Sequence, residues 1–226
     1  MVSKRTKNQK SLRRPKIQYS PRAVTLIVCE DGKSSPQYFK QFRKAEGLTS
    51  TEIEVIGQEC GNAPISVIDC AKNKKDTQKK IARRNPDVKC YDKIYCVLDV
   101  EAPGQHESLN RAINKAKANK IIVILSNPCF EYWFLLHFEK ASKPFQKSSD
   151  AESSLKIYIP NYKKGDDSTF NLVYPHTSIA IENAEQVIRE KGWGEDLREC
   201  NPSTHVYKLI QYLQYIATQQ PKLNKS

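Results

Sequence analysis

Two apolar runs of this chain end in acids. AVTLIVCE (23–30) stops at Glu30, and YDKIYCVLDVE (91–101) stops at Asp99 and Glu101. If both are strands of one parallel sheet, the three carboxylates lie at its C-terminal edge, where open α/β sheets bind their ligands. Side chains alternate along extended chain, so Asp99 and Glu101 point the same way provided the strand runs on through Val100. Three unpaired carboxylates repel one another. A hard divalent cation such as Mg²⁺, which takes oxygen ligands and keeps several waters, relieves that repulsion. Acids at strand ends are also ordinary solvated caps, and the spacing alone leaves both readings open.

The stretch after Glu30, Asp31-Gly32-Lys33-Ser34, suggests a phosphate-binding loop but lacks its first glycine. G-x-x-x-x-G-K-[ST] ending at Ser34 requires glycine at position 27, which is Ile27 inside the apolar run. Gly32 reads as a strand-to-helix turn, with Lys33 placed either in solvent or toward a phosphate. No G-x-G-x-x-G, G-x-S-x-G or H-E-x-x-H occurs.

The elements that must position these residues follow from periodicity. Strands are predicted at 23–30, 51–57, 91–101 and 120–127; 51–57 alternates, while 23–30 and 120–127 are short continuous apolar runs of the kind buried on both faces of a parallel sheet. Helices are predicted between them. The first has Ser35 as N-cap, Pro36 at the first helical position and Gly47 as stop; the second covers 65–80 and ends in lysines; the third covers 106–119, with Leu109, Ile113 and Ala116 on one stripe. After the fourth strand, Asn127 is expected to cap and Pro128 to open an apolar helix containing Tyr132 and Trp133 as core and His137 as a buried histidine. This alternation predicts an α/β fold with a mostly parallel four-stranded core sheet flanked by helices. Beyond residue 140, a short LKIYIP (155–160) and a lysine-rich loop precede helices over 177–191 and 203–219, a helical C-terminal part packed on the sheet. The boundaries expected are a flexible basic tail at 1–22, the α/β core at 23–140 and the C-terminal extension at 141–226.

Composition narrows the class. With 226 residues, 38% hydrophobic and 27% charged, the chain reads as one generous globular unit. No apolar stretch approaches the ~20 residues of a membrane span, and no apolar signal core follows the N-terminal charges, so a cytoplasmic protein without a membrane is expected. The seven cysteines are scattered and lack paired C-x-x-C spacing, which predicts neither a disulfide frame nor a structural zinc; Cys29 and Cys96 lie in apolar runs as small hydrophobes. The net charge of +12 is concentrated at the start. Removing the eight bases of residues 1–22, Arg13 and Arg14 among them, takes the bases from 37 to 29 against 25 acids and leaves +4. Such a tail either attracts nucleic-acid phosphates by counterion release or serves as a solubilising extension.

Strand-Glu, helix, strand-Asp-x-acid resembles the Toprim arrangement of topoisomerases, primases and overcoming-lysogenization-defect nucleases. The longer strings LIVCEDGKSSPQYFKQF, IYCVLDVE, ILSNPCFEYWFLLHF, IPNYKKGD and NPSTHVYKLIQYL are similar to the RloB family of bacterial proteins over about residues 24–215. That resemblance implies a Toprim-like fold, a place beside antiphage defence loci, an AAA-type or ABC-type ATPase partner, and a Mg²⁺-dependent (or Mn²⁺-dependent) nuclease acting on DNA or RNA, tRNA included, as a monomer or an oligomer. Carried over by position, Glu30 matches the Toprim glutamate, a general acid or base, and Asp99 and Glu101 match the metal-binding pair. The family pattern usually reads D-x-D, and Glu101 is one methylene longer. The alternative is a non-catalytic nucleic-acid-binding or ATPase-regulating subunit with a degenerate site. Accessory roles fall to Lys33, Lys163 and Lys164 as phosphate contacts, and to Asn127, Glu131 and Tyr162 beside the same sheet edge; Asn127 and Glu131 read equally as a cap and a surface acid, and 162–164 as a solvated turn.

Overall fold

The computed structural model describes residues 23–50, 53–61, 63–100, 106–194 and 196–219. The basic segment 1–22 with Arg13 and Arg14, and the acid Glu101, lie outside them.

The four predicted strands form: β1 (Thr25–Cys29), β2 (Ile53–Ile56), β3 (Lys93–Asp99) and β4 (Ile122–Asn127). All pair in parallel, in the order β2-β1-β3-β4. The sheet has five strands rather than four, because β5 (Ser203–Thr204) adds an antiparallel edge against Ser126 and Asn127. Two residues have no periodicity to read, and β5 exists only where β4 supplies a template. The part of the chain after residue 140 therefore contributes to the sheet as well as to the helices.

The helical layers follow from handedness. The chain steps from β1 out to β2 through α1 (Ser34–Ala45), then reverses through α2 (Pro64–Arg84) to β3 and continues through α3 (His106–Ala118) to β4. Right-handed crossovers in opposite directions place helices on opposite faces. Accordingly, Leu26, Val28, Val67, Ile68 and Leu109 belong to one apolar cluster, and Ile27, Cys29, Phe39 and Phe42 to the other. The second cluster also takes α4 (Glu131–Leu135), α5 (Ser148–Tyr158), α6 (Asp167–Val173), α7 (Thr177–Glu190) and α8 (Val206–Thr218). Tyr38 and Phe39 of α1 meet Phe130, Trp133 and Phe134 edge-on; each fully buried aromatic contributes roughly 1.5–3 kcal/mol by area removed from water.

Local details depart from the sequence expectation in three places. Ser35 is not the N-cap of α1 and Pro36 is not its first residue: the Asp31 carboxylate accepts from the backbone N–H of Lys33 at 2.7 Å and of Ser35 at 3.0 Å, while Ser35 and Pro36 are the second and third residues of the helix. The stop at Gly47 holds, with the residue in the left-handed region at φ 69°. Asn127 does not cap the apolar helix, which begins at Glu131; it ends β4, and its side-chain amide donates to the carbonyls of Leu197 and Arg198 at 3.2 and 3.1 Å. Finally, Cys60 and Cys70 form a disulfide, because the 3-10 turn 58–60 brings Cys60 beside the second turn of α2 with Cα atoms 5.6 Å apart. A spacing of ten matches no short cysteine motif, which is why the sequence concealed it.

Candidate active site at the sheet switch point

Strand order reverses between β1 and β3, so this is the point where an open α/β sheet forms a crevice beyond its strand ends. Glu30 and Asp99 stand on its two sides. The Glu30 backbone N–H continues the ladder to the Val97 carbonyl at 3.0 Å, and its side chain turns back so that Oε2 accepts the backbone N–H of Asp99 at 3.0 Å. Both residues are half-buried, at the ends of strands whose preceding residues are fully buried. Of the predicted acidic set, these two are brought together. Among the described residues no group of three His, Cys, Asp or Glu side chains could hold a metal ion. Glu30 and Asp99 thus put two acidic residues at one pair of strand ends, the Glu30 carboxylate lying against the Asp99 backbone; a site for Mg²⁺ commonly uses one or two carboxylates, with water and phosphate completing the shell.

A third acid is built into the same edge. Glu131, at the start of α4, is 2% exposed, so it is not a surface acid. Its Oε1 accepts from the hydroxyls of Ser34 and Tyr162, both at 2.9 Å, and lies 3.3 Å from Lys164 Nζ. Burial pushes the carboxyl toward neutrality, but the Lys164 charge and the hydroxyl donors outweigh burial and hold it below its ordinary value. Burial and the adjacent carboxylate push the Tyr162 phenol up, which keeps it a donor. Glu131 and Asp99 also act together on one group: the buried Cys129 thiol is raised first by burial and then by these two negative charges.

The lysines are delivered by two loops in contact. Gly165 adopts φ +80°, and a Cβ there would stand 3.1 Å from the Cβ of Lys33, so the backbone after Lys164 lies against the β1–α1 turn. Lys33 and Lys163 are exposed, whereas Lys164 reaches inward to Glu131. Ser34 is the participant that sequence reasoning missed; its partners are 97 and 128 residues away, and a serine after Gly-Lys carries no signal for them.

His137 is buried, as expected. Its Nδ1 meets the Trp133 carbonyl at 2.9 Å, and burial pushes its pKa down to about 3, so the imidazole is neutral near pH 7 and stands in the aromatic core rather than the crevice.

The fold and the contact between Glu30 and Asp99 define an α/β protein with two acidic residues at its switch point. The family model described as RloB-like protein matches residues 25–213, and the chain belongs to that family. No curated protein and no solved structure matches it. No helix among the described residues is long and apolar enough to cross a membrane.

Proposed function

We propose that this protein is a Toprim-type, Mg²⁺-dependent nuclease that hydrolyses phosphodiester bonds and serves antiphage defence with an ATPase partner. The observation that carries this reading is the pairing of Glu30 with Asp99 at the switch point, in a chain of the RloB-like family. Asp99 and Glu101 are the residues to hold Mg²⁺, or Mn²⁺, with Glu30 beside Asp99. When bound, the cation supplies Lewis-acid stabilisation of charge developing on the phosphoryl oxygens. Glu30 moves a proton to or from water or the leaving oxygen, and its fixed position beside the Asp99 backbone supplies the orientation that such transfer requires. Lys33 and Lys163 attract the phosphate backbone, and Lys164, shared with Glu131, aligns it. Arg13 and Arg14 add sequence-independent attraction.

The test is cleavage of labelled DNA and RNA with and without Mg²⁺. Glu30→Gln and Asp99→Asn should each abolish metal-dependent cleavage while far-UV circular dichroism and thermal melting stay near wild type. Full activity in both variants removes the crevice from the chemistry.

One observation favours the second reading, a binding or ATPase-regulating subunit: the acid at position 101 is glutamate where the family pattern usually has aspartate. In that case calorimetry detects no Mg²⁺ binding that depends on Asp99.

A further inference from the structure

The outer edge of β4 is only partly covered. Consecutive residues of a strand aim their backbone groups to opposite sides, and the pattern here is fixed by two hydrogen bonds. The Ser126 carbonyl accepts from Val100 N–H on the β3 side at 2.8 Å, and the Leu125 carbonyl accepts from His205 N–H on the outer side at 2.8 Å. By alternation, Val123 turns both its N–H and its C=O outward. β5 reaches only Ser126 and Asn127. Among the described residues, no strand pairs with β4 on its outer side at Ile122, Val123 or Ile124.

The edge forms the floor of a groove of about 520 Å³, with Ile113 and Lys117 of α3 on one wall and Tyr95 and Lys208 on the other. Ile122 is 40% exposed within it. A β-branched edge with open backbone groups invites an added strand, and natural proteins usually blunt such edges with charge, proline or a covering loop. Ile121 to Ile124 offer none of these within the strand.

We propose that this groove receives an extended acidic segment of a partner protein, which adds as a strand beside β4. Charge selects the occupant. Among the described residues that line it, the bases Lys117, Arg198 and Lys208 outnumber the one acid, Asp196, to which Arg198 is bonded. A second copy of the chain pairing edge to edge would set two such basic linings against each other. The chain's two terminal segments outside the described residues are basic: 1–22 carries eight bases and no acid, and 220–226 two lysines and no acid. An acidic strand instead matches the rim with its side chains and the edge with its backbone. Neither Glu30 nor Asp99 lines the groove, so the proposal stands or falls independently of nuclease activity.

The test is fluorescence anisotropy on the full chain with a labelled peptide of about eight residues alternating valine and glutamate. The controls are the same peptide with lysine for glutamate, and two versions N-methylated on alternate residues to block one pairing frame each. Saturable binding of the acidic peptide is expected, reduced by about tenfold or more when one methylated frame is used, when glutamate becomes lysine, or when Lys117 and Lys208 are both changed to Glu. Val123→Pro, which removes an outward N–H and leaves the β3 ladder intact, should have the same effect; the methylated peptides decide the matter if that variant folds poorly. Absence of binding, or equal binding of both methylated peptides, overturns the proposal. So does a concentration-dependent dimer that Val123→Pro dissociates, which assigns the edge to a second copy. Displacement of the peptide by single-stranded oligonucleotide with no loss on Val123→Pro also overturns it, in favour of nucleic acid.

Discussion

The Glu30 side chain is bonded to the backbone of Asp99, residues 69 apart in sequence and adjacent at the ends of neighbouring parallel strands. A carboxylate accepting a backbone N–H makes a charge-assisted bond, so Glu30 holds the two strand ends in register in addition to any chemical role. Length and charge are separable here. Glu30→Asp keeps the charge but is one methylene too short to reach the same N–H, and should lower stability by about 1 kcal/mol. Glu30→Gln keeps the reach and should fold almost as well while losing cleavage. Denaturant titrations of both variants beside cleavage assays check this; if the glutamine variant cleaves normally, the glutamate is a structural tie alone.

Glu131 is a buried acid whose donors come from α1 and from the loop before α6. Glu131→Ala leaves Ser34, Tyr162 and Lys164 without their acceptor and should destabilise by about 3 kcal/mol. Glu131→Gln retains a carbonyl oxygen for the hydroxyls and loses only the ionic partner of half-exposed Lys164, so about half that loss is expected. Urea unfolding at neutral pH measures both. Equal losses would mean that packing volume rather than hydrogen bonding sets the requirement.

Acid sensitivity should begin with His137. Its folded pKa is about 3, against an ordinary value of 6.5, so the unfolded chain binds the extra proton throughout that interval. Stability is full above pH 6.5 and falls with each step below it, by at most about 1.4 kcal/mol per pH unit for one group, levelling off below about 3. Glu131, with its pKa lowered from 4.5, adds its own loss only below that value. The window from pH 6.5 to 5 therefore separates His137 from Glu131. Stability measured across it should slope in the wild type and be nearly flat in His137→Phe, whatever the variant's absolute stability; an unchanged slope would show that another group titrates there.

The parallel strands were legible because continuous β-branched runs mark chain buried on both sides, and Thr25 to Cys29 are indeed fully buried. The long amphipathic helices α2, α3, α7 and α8 were legible for the same kind of reason, a sustained apolar stripe. Short elements were not: α5 buries only Ala151 and Leu155, α6 only Thr169, Phe170 and Val173, and β5 spans two residues. At the crevice, Glu30 and Asp99 were readable because each ends its own strand. The acceptor role of Glu131 was hidden, since its hydroxyl partners lie 31 and 97 residues away and only the fold selects them. Asp31 displaced Ser35 as the cap because a flexible turn lets an earlier carboxylate reach the same N–H groups, a competition that residue type alone does not decide.

β1 is paired on both sides and covered on both faces. Its amide hydrogens therefore belong to the class that exchanges with solvent only through global opening, while loops such as 160–166 open far more readily. Glu30 follows directly on that strand, so its backbone is anchored to the most protected part of the sheet. If the proposed nuclease is switched on and off, the lysine-bearing loops cost less to move than the strands that carry Glu30 and Asp99.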